Sequence, residues 1–292
     1  MDKSGLLTLV QTACVKASLP LLPPYLPGIL MTFTAYHLTY LSIGPWLSTL
    51  LFPKVYVQLR GRKKLDWDEN VVSLVQAIVI CVLAGQVVLL SSDSDVDVMG
   101  RRWRGMRWED RIWGYTEPDA VVLTVANGYF YWHFQMMVRH RDVFGWSMVA
   151  HAMAVSFLMT NAYRPAFMTY APASFLYEFS TIFLDIQSTL RSLKMEGTTI
   201  QIVNGMALFV SFFLLRVVYA THLQAWFYMD LWSAFGASEQ DIPVGKARIP
   251  TWLLASHAVA AVTLQLLNYW WFYKISRTVY RKFFAGGVVK RD

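Results

Sequence analysis

Seven apolar stretches, at 28–51, 71–90, 118–138, 146–163, 168–190, 199–223 and 251–273, follow one another along 292 residues with short, mostly charged connections between them. Each is close to the roughly 20 residues a helix needs to cross a hydrocarbon layer, and together they take about half the chain. Charged residues make up 15% of the sequence and hydrophobic ones 55%, against the roughly one-quarter charged share of soluble domains. With 18 Phe, 15 Tyr and 12 Trp, there is more apolar surface than one core of this size hides from water. An ordinary soluble enzyme is thereby excluded. The expected fold is all-α, a polytopic membrane bundle of about seven transmembrane helices around a lipid-accessible central cavity. Three regions are expected: 1–64 with the first transmembrane helix and a basic flank, 65–280 as a six-helix membrane domain, and 281–292 as a basic tail.

The net charge of +7 gathers at the ends of the apolar stretches instead of forming a groove on a soluble fold, so nucleic acid is not an expected partner. The clusters at 54–64, 139–141, 191–194 and 274–291 place 15 Lys and Arg on one face, against 10 on the other. The more basic face is expected to be cytosolic, which makes the amino terminus lumenal and the carboxyl terminus cytosolic. The segment before 28 has no small-x-small cleavage site and reads as retained. Cys14 and Cys81 stand alone, outside any CxxC or His/Cys pattern, so neither a disulfide framework nor a zinc site is expected. Asp93, Asp95 and Asp97 lack the glycine and distal Glu of a calcium loop. No metal and no cofactor is expected. The Arg- and Trp-rich run that follows them, up to 117, reads as an interfacial anchor.

His133, His151, Glu178, Asp185, Asn204 and Arg216 all fall inside apolar stretches, as do Asn127, His257 and Asn268. Ionisable groups at such depth cost on the order of 2.5–3.5 kcal/mol each on insertion scales, so they are expected to face the bundle interior and to have partners. At 1.5 Å per residue, His133, His151, Asp185 and Asn204 lie roughly 7–9 Å below the cytosolic face, and Glu178, two helical turns from Asp185, extends that layer toward the membrane centre. Two roles stay open for such a layer: interhelical hydrogen bonds that fix the bundle, about 0.6 kcal/mol per contact, or the polar floor of a lipid-filled cavity. In the second role His151 is the candidate general base, with His133 and Asp185 orienting it. Glu178, Asn204, Arg216, Asn127 and Thr181 are then the candidate lipid-contacting polar residues. Arg216 is expected to pair with Glu178 or to extend toward an interface, and His257 to be interfacial or structural.

Four pieces carry a family pattern: Gly128-Tyr129-Phe130, the segment MVAHAMAV around His151, the run from Tyr177 to Leu184 with its E-x-S-T-x-F-L spacing, and Asn204-Gly205 leading through Phe212-Phe213 to Arg216. In this order they resemble the TLC domain family (TRAM, LAG and CLN-like), over about residues 65 to 280. That family includes the ceramide synthases and smaller lipid-linked branches. The chain departs from the synthase pattern in having His133 where an Asp is common, His151-Ala152 in place of a double histidine, and no later Asp-x-x-Ser-Asp run. The resemblance therefore implies the smaller branch: a membrane protein of the endoplasmic reticulum that binds membrane lipid and bears on lipid composition or homeostasis. It also leaves a ceramide-synthase-like acyltransferase, in which acyl-CoA is the substrate and His151 the base. A secretory-pathway cargo or protein-interaction role is the third expectation.

Overall fold

The computed structural model describes residues 3–89 and 106–283; Asp93, Asp95, Asp97, Arg101, Arg102, Arg104 and the 284–292 tail lie outside the described residues. Among the described residues every regular element is helical. A helix α1 (Lys3–Lys16) precedes α2 (Leu22–Leu38), which runs on through a π-helical stretch (Thr39–Ile43) into α3 (Gly44–Leu51). After a short α4 (Pro53–Tyr56) comes α5 (Gly61–Leu89). Then follow α6 (Trp108–Trp113), α7 (Glu117–Arg139), α8 (Arg141–Phe144) and α9 (Trp146–Asn161). The next rod is broken, with α10 (Tyr170–Phe175), a 3-10 turn (Leu176–Glu178) and α11 (Phe179–Ser192). Next, α12 (Thr199–Phe212), a second π-helical stretch (Phe213–Tyr219) and α13 (Ala220–Gly236) form one rod, and α14 (Thr251–Phe283) ends the described fold.

Each expected span therefore lies on a helical rod, and several differ in extent: the first rod begins at Leu22, α5 begins at Gly61 and α14 runs on to Phe283. The sixth rod runs past 223 to Gly236, because Asp230 and Gln224 find partners inside the protein. The fifth is interrupted at 176–178. Among the described residues, two rods are by length and hydropathy enough to cross a membrane, Gly61–Val88 and Thr199–Gly236. α7 and α14 are long, but their Trp, Tyr, His and amide residues lower their hydropathy.

Local chemistry sets the helix starts. Thr116 accepts from the backbone N–H of Asp119 at 3.2 Å, with Pro118 in the first turn of α7 and Glu117 and Asp119 facing the positive helix end. Thr198 caps α12 in the same way, through Gln201. Gly145, at φ 84°, turns α8 into α9 in a conformation that favours glycine.

Contacts between rod ends fall into two groups. At one end Leu21 donates to the Tyr163 carbonyl at 3.3 Å, Phe167 to that of Ile112 at 2.6 Å, and the Tyr25 and Tyr115 hydroxyls meet. At the other, Arg62 reaches Asp142 at 3.3 Å, Asn70 reaches Thr189 at 3.1 Å, and Lys282 reaches Gln201 at 2.7 Å. Successive rods thus run antiparallel. The closest approach joins α2 and α7, where a Cβ on Gly128 would lie 1.9 Å from Thr32 Oγ1 and 2.8 Å from the Phe33 nitrogen. The buried core there includes Val72, Ile80, Leu123, Trp132 and Met137, while a second cluster of Ile112, Phe167, Phe227 and Leu253 fills the Tyr163 end. The outside is apolar as well: Met31 is 69% exposed, Val203 62%, Val259 66% and Leu266 61%. Apolar surface that extensive needs an apolar surrounding.

Candidate functional site

Among the helices lies a pocket of about 130 Å³, roughly ten times the space one water needs. Its walls come from α7, α9, α10, α13 and α14 and are mostly apolar, with Val155, Leu158, Met159, Phe175, Leu223 and Phe227 prominent. At one end it is bounded by His151, Glu178, Arg216 and Asn268, and toward the other by His257, Tyr170 and Phe167. On α14 the lining residues are His257, Ala261, Leu264 and Asn268, spaced to share one helix face.

Arg216 sits in the π-helical stretch of the sixth rod, buried, and reaches across to the broken fifth rod. Its Nε donates to Ser180 Oγ at 2.9 Å, and its Nη2 to Glu178 at 3.1 Å and to Thr181 Oγ1 at 2.8 Å. The Thr181 hydroxyl donates in turn to the other Glu178 oxygen at 2.8 Å. Of the two outcomes expected for Arg216, pairing with Glu178 is the one found. Two of the three departures from a regular α-helix among the described residues meet here, the 3-10 turn ending at Glu178 and the π stretch holding Arg216. Single-turn π insertions recur at functional sites because they re-aim one side chain.

His151 lies on α9, its ring edge-on to Trp271 at 5.3 Å between centroids, and its buried Nδ1 has no hydrogen-bond partner among the described residues. His257 is 1% exposed, its ring 4.4 Å from that of Phe167 and its Nδ1 2.9 Å from the Leu253 carbonyl. It is thus an interior residue at the pocket wall, packed as the structural of the two roles expected for it would have it.

His133 and Asp185 are not among the pocket's lining residues. They form a separate buried layer between α5, α7 and α11: His133 Nδ1 stands 3.2 Å from Glu69 and 3.4 Å from the Tyr129 hydroxyl. Asp185 lies in the same layer under the electrostatic influence of Glu69, with Ser73 beside it and one carboxylate oxygen unpartnered among the described residues. Asn70 donates to the Asp185 carbonyl at 3.1 Å. Two other candidates tie helices together. Asn204 donates to the Phe183 carbonyl and to Gln187, both at 2.9 Å, and Asn127 to the Met159 carbonyl at 3.3 Å. Thr181 supports Arg216 and does not line the pocket. The expected single polar layer is therefore three arrangements, of which His151, Glu178 and Arg216 face the pocket.

Glu69, Ser73 and Gln76 escaped the sequence analysis. They stand four and three residues apart on one face of α5, a pattern that marks a polar stripe inside an apolar run. Gln76 accepts from the buried Tyr36 hydroxyl. Arg111 differs most from expectation. It is buried within the protein instead of turned outward: Nε and Nη2 each donate to Asp230 at 2.6 Å, the Tyr170 hydroxyl joins Asp230, and the guanidinium lies 5.0 Å from the Trp226 ring centre. Bidentate pairing with Asp230 supplies its countercharge within the protein. The pair fixes α6 against α13 at the His257 end of the pocket.

The TLC domain family profile matches residues 66–277. An uncharacterized TLC domain-containing protein of Schizosaccharomyces pombe is 28% identical over 275 residues, which is 94% of this chain and 85% of that one. Topoisomerase I damage affected protein 4 of Saccharomyces cerevisiae is 24% identical, covering 87% of this chain and 84% of its own. TLC domain-containing protein 4 of Homo sapiens is 22% identical, covering 85% of this chain and 86% of its own. With most of its length matched by that profile, and with an all-α fold wearing an apolar exterior, the chain belongs to the TLC domain family of polytopic integral membrane proteins.

Proposed function

We propose that this protein holds a membrane lipid in the pocket between α7, α9, α10, α13 and α14, and through it bears on membrane lipid composition. The rods are then seven crossings around a central, lipid-accessible cavity. The cytosolic side carries the Arg62–Asp142 and Lys282–Gln201 contacts, and the protein resides in the endoplasmic reticulum, as the family resemblance implies. The observation that carries this is the pocket's composition: apolar walls closed at one end by His151, Glu178, Arg216 and Asn268. A long tail finds its solvent there, and a polar head its partners.

The test is to purify the protein in mild detergent and analyse the co-purifying lipid by mass spectrometry, beside a variant in which Ala261→Trp fills the pocket. A lipid enriched over the bulk extract in the native protein and lost from the variant is the expected result. Identical profiles in protein, variant and bulk extract would remove the proposal.

A second function is favoured by one observation, the unpartnered nitrogen of His151 at the pocket wall. In a ceramide-synthase-like acyltransfer His151 takes the proton from an amine or hydroxyl that attacks the thioester carbonyl of acyl-CoA; as the new C–N or C–O bond forms the C–S bond breaks, and the imidazolium returns the proton to the departing coenzyme A thiolate. His133 and Asp185 act from the neighbouring layer, holding the local field without touching the acyl group. Transfer by reconstituted protein that is unchanged in His151→Ala excludes this chemistry.

A further inference from the structure

Buried polar atoms in folded proteins almost always have a hydrogen-bond partner, so one that lacks it, at the wall of a pocket with other free polar groups, points to a ligand. His151 Nδ1 is such a buried atom without a partner, and Arg216 and Asn268 line the same pocket, with Arg216 Nη1 and the Asn268 side-chain amide forming no hydrogen bond among the described residues. Trp271 brings His151 against α14, and Gln265 donates to the Arg216 carbonyl at 3.3 Å, so the three groups share one level of the fold. Glu178 completes the set as an acceptor. The pocket end thus offers guanidinium and amide donors together with carboxylate, imidazole and amide acceptors.

Its charge is balanced. Arg216 is already paired with Glu178, and Arg111 near the opposite end with Asp230. An anionic head can reach Arg216 only by lying beside Glu178, and a cationic head can reach Glu178 only beside Arg216. In a low-dielectric pocket such an uncompensated like charge is strongly unfavourable, whereas a hydroxyl or ester carbonyl brings hydrogen bonds without charge. From Asn268 to His257, 11 residues along α14, the lined wall is about 16 Å long, and its sides are apolar. A volume of about 130 Å³ spread along that wall leaves a narrow cross-section, which fits one chain and not a branched pair.

Building on the lipid-binding function proposed above, we infer that the ligand is an uncharged single-chain lipid whose head both donates and accepts hydrogen bonds, of the long-chain alcohol or monoacylglycerol class. Its head hydroxyls lie among Arg216, Glu178, His151 and Asn268, and its tail runs toward His257. Glu178 is the selectivity residue, since its carboxylate is what turns away fatty acid and phosphate heads.

The experiment uses the full chain in detergent with photoactivatable monoacylglycerol, fatty acid and lysophosphatidic acid probes of equal chain length, the labelled peptides being mapped by mass spectrometry. The monoacylglycerol probe is expected to label α9 and α14 peptides, with unlabelled monoacylglycerol competing about tenfold better than either anion. In Glu178→Gln, where Arg216 loses its countercharge, preference is expected to turn toward the fatty acid by a similar factor. Anions that compete equally well or better in the native protein overturn the head selectivity while leaving a lipid in the pocket. Labelling confined to outward-facing residues overturns both. The native competition alone decides if Glu178→Gln does not accumulate as folded protein.

Discussion

Arg111 and Asp230 form the fold's most buried bidentate ion pair among the described residues, with side-chain exposures of 7% and 2%. Removing one member of such a pair leaves the other charged and desolvated, at a cost of about 3–5 kcal/mol, whereas replacing both with apolar groups of similar volume is close to neutral. Arg111→Ala and Asp230→Leu are each expected to lower stability by that amount, and Arg111→Met with Asp230→Leu by much less than the sum. Fluorescence-detected thermal unfolding in detergent checks this; additive losses would show that the two side chains act separately. In the other buried layer the sign differs. Asp185→Asn keeps the shape of the side chain and removes a buried carboxylate of which one oxygen has no hydrogen-bond partner among the described residues, so stability is expected to hold or rise. Asn204→Ala deletes two interhelical hydrogen bonds and is expected to cost about 0.6–1.7 kcal/mol. A destabilised Asp185→Asn beside an unaffected Asn204→Ala would reverse these assignments. Both residues look alike in the sequence, polar and inside an apolar run. Only the packing tells the tie from the strained charge.

At the scale of elements, the rods were legible because each apolar run exceeds what a soluble helix needs, and an apolar run bounded by charge has few alternatives to a helix. Their interruptions were not. The π stretch at Phe213–Tyr219 and the 3-10 turn at Leu176–Glu178 have no Pro or Gly to announce them. They follow from Arg216 meeting Glu178, Ser180 and Thr181, a tertiary contact between rods far apart in sequence. Close packing of rods is similarly hidden, except at Gly128, which the sequence marks as part of a family motif and the fold explains by the approach of α2. Gly128→Ala puts a methyl group against Thr32 and the Phe33 backbone. It is expected to cost about 1–3 kcal/mol or more, and Thr32→Ala is not expected to restore it, because the Phe33 nitrogen stays in place. Gly236→Ala, with open space around the new Cβ, is expected to be tolerated. A thermal midpoint unchanged by Gly128→Ala would mean that α2 and α7 separate more readily than their contact implies.

For the whole molecule, the alternation of rods came from counting apolar runs, and the contacts between rod ends agree with it: residues 62–70, 142, 189, 201 and 282 gather at one end, and 21–25, 111–115, 163–169 and 230 at the other. Which end faces the cytosol rests on the Lys and Arg excess alone, and that excess is a property of the flanks that packing does not alter. The division of the polar residues into a pocket end and a separate sealed layer was beyond the sequence, since depth along a helix follows from residue count but direction around the helix axis depends on the neighbours. Orientation can be read directly. In a background without Cys14 and Cys81, the chain's two native cysteines, Glu196→Cys and Ser238→Cys place single thiols on exposed turns at opposite ends. In sealed microsomes a membrane-impermeant maleimide is expected to label Glu196→Cys at once and Ser238→Cys only after the membrane is opened. The reverse order would invert the proposed topology, exchanging the compartments that face the Arg216 and His257 ends of the pocket. Equal labelling of both would mean that the rods between 196 and 238 do not traverse the bilayer, and an intramembrane lipid pocket would lose its basis.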